Sequence, residues 1–178
     1  GTVTGSKFLL TAGSTKILVD CGMFQGLKEL RQLNWLPTPF GANEPDAILL
    51  THAHIDHTGY LPRLVQQGYR GPVYCTEATA AVVRILLMDA AEIQEEDAAC
   101  ANRKGYSKHT PALPLYTVKD AQQALRLLKT VDYREPLKLG SGVTARFINA
   151  GHILGSSFVQ IDVEEGGKSA RLVFSGDL

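Results

Sequence analysis

The chain has 178 residues, enough for one domain with a sizeable core, and its 44% hydrophobic and 20% charged residues are those of an ordinary globular protein. Eighteen basic residues face eighteen acidic ones. That balance removes bulk charge as a means of binding nucleic acid, while a local basic groove stays open. No apolar run approaches the roughly 18 residues of a membrane-crossing helix. Cys21, Cys75 and Cys100 are odd in number and form no CxxC pair, so free thiols in a reducing cytosol are expected rather than a disulfide framework or a cysteine zinc knuckle. The chain starts at Gly1 inside a Gly/Thr-rich stretch and stops at Asp177-Leu178 just after a strand-like run. Both ends read as cuts within a longer protein.

In chain order, Phe8 to Thr11 and Lys16 to Val19 are apolar runs flanking Ala12-Gly13-Ser14, the pattern of a β-hairpin. Asp20-Cys21-Gly22 closes the second strand. Residues 23–45, with three prolines, read as a helix or a long loop. Ala47 to Leu50 is a continuous apolar run and predicts a buried strand. Residues 52–57 then occupy the loop at its C-terminal end. Gly59 to Gln67 predicts a helix with Pro62 in its first turn and Gly68 at its end. Val73 to Cys75 is a short strand.

A long helix is expected from Thr76, with Val83, Leu86, Leu87 and Ala90 on its buried face. Its acidic residues Glu92, Glu95, Glu96 and Asp97 read as a solvated face. Residues 103–116 read as a loop carrying a surface His109, and Lys119 to Lys129 as a helix starting near Asp120. Alternating strands follow at 143–148 and 157–163, and Gly166-Gly167 turns the chain into a last strand at 170–174. Strands, helices and strands in that order describe a layered α/β domain.

The strongest chemical signal is Thr51-His52-Ala53-His54-Ile55-Asp56-His57, four ligand-capable side chains just past a buried strand. His52 and His54 alternate with Ala53, so an extended backbone points both imidazoles the same way. A turn then brings Asp56 and His57 to a neighbouring point. Neutral imidazole and carboxylate are ligands that zinc accepts. Three of the five histidines of the chain lie here, a concentration from which a solvent loop gains nothing.

This HxHxDH motif resembles that of the metallo-β-lactamase superfamily. The resemblance implies that His52 and His54 bind one zinc ion and that Asp56 and His57 bind a second. His152, in Gly151-His152-Ile153, would complete the first site, and Asp177, in Ser175-Gly176-Asp177, would bridge both ions. Asp56 and Asp20 would take a catalytic part. Asp20 would act by orienting a ligand histidine or the metal-bound water. The family pattern needs one more histidine downstream of the bridging aspartate. The implied fold is an α/β metallo-β-lactamase-type αββα sandwich. It is partial, with residues 1–178 forming the N-terminal portion of the catalytic domain.

Within that superfamily, Gly1 to Ser6, Asp97 to Lys104, Pro114 to Thr117 and above all Ala150-Gly151-His152-Ile153-Leu154-Gly155-Ser156 resemble the β-CASP ribonucleases. In these a further domain is inserted after the motif ending in aspartate. The branch implies a cytoplasmic, zinc-dependent ribonuclease that hydrolyses RNA phosphodiester bonds. Two Zn2+ ions share a bridging hydroxide in that mechanism, and a histidine of the inserted domain helps protonate the leaving oxygen. RNA is the implied partner, with no membrane, and the longer protein could form a homodimer. A glyoxalase II-like hydrolase of a small thioester and a non-catalytic scaffold paralogue are the alternatives.

Overall fold

The computed structural model describes residues 3–178; the first two residues of the Gly1 to Ser6 stretch lie outside them. β1 (Phe8–Ala12) and β2 (Thr15–Val19) form the expected hairpin, with Phe8 opposite Val19 and Ala12 opposite Thr15. α1 (Lys28–Leu33) is one short helix inside the proline-rich connection. β3 (Ala47–Leu49) is buried throughout, as its unbroken apolar run requires. The HxHxDH segment is not all loop. Its second half is the single turn α2 (Ile55–Thr58), for which His54 is the N-cap. α3 (Leu61–Gln66) carries Pro62 in its first turn, where a missing N–H costs nothing, and β4 (Val73–Cys75) follows.

α4 (Glu77–Lys104) is capped by Thr76, whose hydroxyl accepts from Thr79 N, and ends on Gly105 in the left-handed conformation. It therefore includes Arg103 and Lys104, which were expected in the following loop. α5 (Val118–Leu125) starts on a reciprocal capping box between Thr117 and Asp120. It is shorter than its apolar spacing suggested, because Leu128 and Lys129 belong instead to β5 (Leu128–Thr130), paired in parallel with β4. β6 (Leu137–Gly140) was not legible beforehand, and β7 (Val143–Asn149), β8 (Ser157–Glu165) and β9 (Lys168–Phe174) are the predicted final strands.

The strands form two sheets. One has the order β1-β2-β3-β4-β5, parallel from β2 onward; the other is the antiparallel meander β6-β7-β8-β9. Alternation along β2 divides its side chains between two cores. Ile17 and Val19 face the second sheet and pack with Leu49, Phe147, Val159 and Ile161. Leu18 faces the helices and packs with Ile48, Val73, Leu61, Leu64, Val83 and Leu87. The described residues thus build three layers, helices on sheet on sheet. The outer face of the meander and the free edge of β9 are open, with Val173 57% exposed. No helix among the described residues is long and apolar enough to cross a membrane.

Phe147 is fully buried between the two sheets. Phe147→Ala should cost about 3–5 kcal/mol, read as a lower unfolding midpoint of the full-length protein. An unchanged midpoint would mean that the sheets do not depend on that contact.

Candidate metal centre

The site lies where β2, β3, β7 and β9 end. Asp20, directly after β2, is the first side chain to be fixed. Its φ of 60° is unusual for a residue with a Cβ, though aspartate tolerates it better than most. That kink sends the carboxylate across to the end of β3, where it is 1% exposed. There Oδ1 accepts from Thr51 N at 2.8 Å, both oxygens lie within 3.0 Å of Thr51 Oγ1, and Oδ2 accepts from His57 Nδ1 at 2.7 Å.

This network assigns the histidine tautomers. The Thr51 hydroxyl proton goes to Asp20, so its lone pair accepts from Nδ1–H of His52, 3.0 Å away. Nε2 of His52 then carries a free lone pair. Nδ1 of His57 is likewise spent on Asp20, and its Nε2 is also free. Burial first, and then the charge of nearby His57, pushes the His52 pKa down to about 3, so the ring is neutral at ordinary pH. Burial alone would lower the His57 pKa too. The Asp20 hydrogen bond and charge, helped by Asp177 and Asp56, outweigh it and raise the value.

His152 comes from the loop between β7 and β8. That loop is pinned to the start of α4, because the Gly155 carbonyl accepts from both Thr76 Oγ1 (2.7 Å) and Thr79 Oγ1 (2.8 Å). Gly155 has φ +85°, and a Cβ there would come within 2.3 Å of Thr79 N, so only glycine fits. Ser157 ties the same loop to the neighbouring sheet, with its N and Oγ both donating to the Thr51 carbonyl. Asp177 follows Gly176, whose φ of +59° lets the chain end of β9 pass against the Thr51 side chain.

The outcome is two adjoining groups of donors. Nε2 of His52 is 3.1 Å from Nδ1 of His54, which is 3.2 Å from Nε2 of His152. Asp177 Oδ2 lies 3.8 Å from His52 Nε2 and 3.9 Å from His152 Nε2. The donor atoms of these four residues all fall within 4.8 Å of one another. On the other side, His57 Nε2 is 3.3 Å from Asp177 Oδ1 and 4.0 Å from Asp56 Oδ2. The two carboxylate oxygens of Asp177 thus face different groups. Tetrahedral zinc with bonds of about 2.0–2.1 Å holds its ligand atoms roughly 3.3–3.4 Å apart. His52 Nε2 carries no proton to donate, and one proton on His54 Nδ1 or His152 Nε2 cannot satisfy all three nitrogens in linear hydrogen bonds. A divalent cation fits this donor set.

All seven residues singled out from the sequence, Asp20, His52, His54, Asp56, His57, His152 and Asp177, converge here. His109 is exposed in the loop after α4, as expected. Thr51 and Ser157 were overlooked, although a buried hydroxyl directly before an HxH pair is a signal that could have been read. Cys21, Cys75 and Cys100 are free thiols and take no part.

Comparison with known proteins agrees with this geometry. A family model described as the metallo-beta-lactamase superfamily domain matches residues 9–173. Ribonuclease TTHA0252 of Thermus thermophilus is 43% identical over 99% of this chain, which covers 35% of that relative. Transcription termination factor FttA of Cenarchaeum symbiosum is 33% identical over 100% of this chain and 26% of its own length. The chain therefore spans about a third or less of these relatives. Among solved structures, MEM-A1, a subclass B3 metallo-beta-lactamase from a soil metagenome library, superposes with a TM-score of 0.57 at 22% identity, over 96% of this chain and 56% of that one. FEZ-1 of Legionella gormanii gives 0.55 at 16% identity, over 99% and 59%.

Asp20→Asn keeps the shape but replaces an acceptor facing His57 Nδ1 with a group that can present N–H instead. We expect metal affinity of the full-length protein to fall about 10–100-fold, measured by competition with a chromophoric chelator, and the unfolding midpoint to fall with it, since the buried carboxylate also joins β2 to β3. Undiminished affinity would show that His57 needs no such orientation.

Proposed function

The chain belongs to the metallo-β-lactamase superfamily, and from that premise we propose that it is the metal-binding part of a ribonuclease of the β-CASP branch, hydrolysing RNA phosphodiester bonds with two zinc ions. The observation that carries the reading is the convergence of His52, His54, His152 and Asp177 within 4.8 Å. The 43% identity to a ribonuclease along almost the whole chain supports the choice of RNA over a small thioester.

His52, His54, His152 and Asp177 would hold one ion; Asp56, His57 and the second oxygen of Asp177 would hold the other. When bound, such a pair supplies water made acidic enough to lose a proton near neutral pH, and positive charge against the phosphate. The remaining work falls to the chain itself. His52 arrives neutral with its lone pair already aimed, so no proton has to leave that ring before binding. His57 is turned by Asp20, which has no oxygen left for substrate and acts as a positioning residue. Asp56 is only partly buried, and its carboxylate can both hold an ion and accept a hydrogen bond from the incoming water.

Two measurements on the full-length protein test this. His54→Ala and Asp56→Ala should each lower zinc content and cut cleavage of 5′-labelled RNA by more than the roughly 100-fold expected for loss of a mere supporting group. Chelation should abolish cleavage and zinc should restore it. Hydrolysis of a thioester but not of RNA would replace the ribonuclease reading, and activity indifferent to both substitutions and to chelation would remove the metal from it.

A further inference from the structure

We propose that the groove beside Trp35 is a stacking site for single-stranded RNA on its way to the metal centre, an inference that rests on the ribonuclease reading. The groove has a volume of about 550 Å³ and lies between the connection after β2, α1 and the middle of α4. Lys28, Arg31, Gln32 and Trp35 line it over an apolar floor that includes Met23 and Leu115, and no carboxylate lines it. Trp35 is the single tryptophan of the chain and is 51% exposed. Lys28 and Arg31 are exposed and pair with no acid among the described residues.

The placement of Trp35 is built, not incidental. Asn34 beside it is buried and grips Phe24 twice, accepting from its N and donating to its carbonyl, both at 2.8 Å. The Arg63 guanidinium sits 6.0 Å from the centre of the Trp35 ring and donates to the Leu115 carbonyl, which steadies the ring against a cation. An indole with an exposed face, two free cations and uncharged amides is the combination that single strands use: bases stack, phosphates pair with cations, and amides meet base edges. What favours RNA over a protein partner is the pairing of two cations with no carboxylate in the lining, because lysine is depleted at protein interfaces while phosphates seek such cations.

The groove is also tied to the site. Met23 N donates to the Ile55 carbonyl at 3.0 Å and Ser6 N to the Asp56 carbonyl at 2.9 Å. The segment that begins on the turn carrying Asp56 and His57 continues directly as the groove wall at Phe24, Gln25 and Gly26. The groove wall is therefore continuous in sequence with Met23, which is hydrogen-bonded to the turn that carries Asp56 and His57. Because the chain is neutral overall, this patch would supply attraction that bulk charge does not.

The test uses the full-length protein with zinc bound and an unstructured RNA oligonucleotide. Trp35→Ala should raise both Kd and KM about ten-fold or more while kcat at saturation holds, and Trp35→Phe should restore most of the loss. Lys28→Ala with Arg31→Ala should weaken binding and reduce the slope of log Kd against log salt by about 1.4, the share of two phosphate contacts on a single strand. The unfolding midpoint of the Lys28 and Arg31 variant should match the parent, since both side chains are exposed, and Trp35→Phe separates lost stacking from lost packing. If the parent protein cleaves RNA and these variants bind and cleave it equally well, the groove proposal is wrong while the ribonuclease reading stands. A change confined to oligomeric state would overturn it in favour of a protein contact. A parent protein that neither binds nor cleaves RNA would overturn both.

Discussion

The site hangs on one buried carboxylate. Asp20 is removed from water, where a lone ionised group would be costly, and what makes its burial tolerable is that every oxygen is engaged by Thr51 or His57. Those bonds cross between the ends of β2 and β3, so the stability of the interior and the aim of two imidazoles depend on the same contacts. Thr51 is the junction. Its amide and hydroxyl serve Asp20, its oxygen lone pair sets the tautomer of His52, its carbonyl receives Ser157 from the opposite sheet, and its side chain is packed against Gly176. Removing the Asp20 charge would therefore be felt at several donors at once.

The convergence also follows from the way the two sheets meet. Parallel strands deliver their C-terminal ends to one edge, the usual place for ligands in open α/β sheets. The meander then supplies His152 from one end of β7 and Asp177 from the end of β9. Neither could arrive without close backbone passage. The His152 loop rests its Gly155 carbonyl on the capping hydroxyl of α4, and Gly176 slides past Thr51. The imidazoles of His52 and His57 are thus held by the buried ends of β2 and β3, while Asp177 comes from the more open β9.

Much of this could be read from residues alone, and the reasons for the misses are physical. The apolar run at β3 and the alternation of β7 and β8 report burial directly, so those strands were visible. Leu128 and Lys129 were drawn into a helix because their spacing from Ala121 and Ala124 suits one; pairing of β5 with β4, a long-range contact, decides otherwise. β6 is half exposed and paired at an irregular register, with little apolar signal. His52, His54, Asp56 and His57 were legible because ligand-capable residues crowd into one segment, whereas His152 and Asp177 were expected only through the family resemblance. Thr51 and Ser157 were not, since a threonine or serine has many ordinary uses and only the folded chain shows which carbonyl or carboxylate it meets.

Zero net charge does not make a chain indifferent to polyanions, because charge acts locally over about a Debye length, roughly 8–10 Å in physiological salt. The lining of the Trp35 groove includes Lys28 and Arg31 and no acid. The acidic residues of α4 do not line it, and Glu95 is occupied by a hydrogen bond from Val118 N. A neutral chain would repel RNA less than an acidic one, and the proposed groove would add local attraction. The two jobs are then divided by burial: interior bonds fix the proposed metal centre, while an exposed aromatic ring with free cations can take varied bases, because stacking and phosphate pairing do not depend on which base is present.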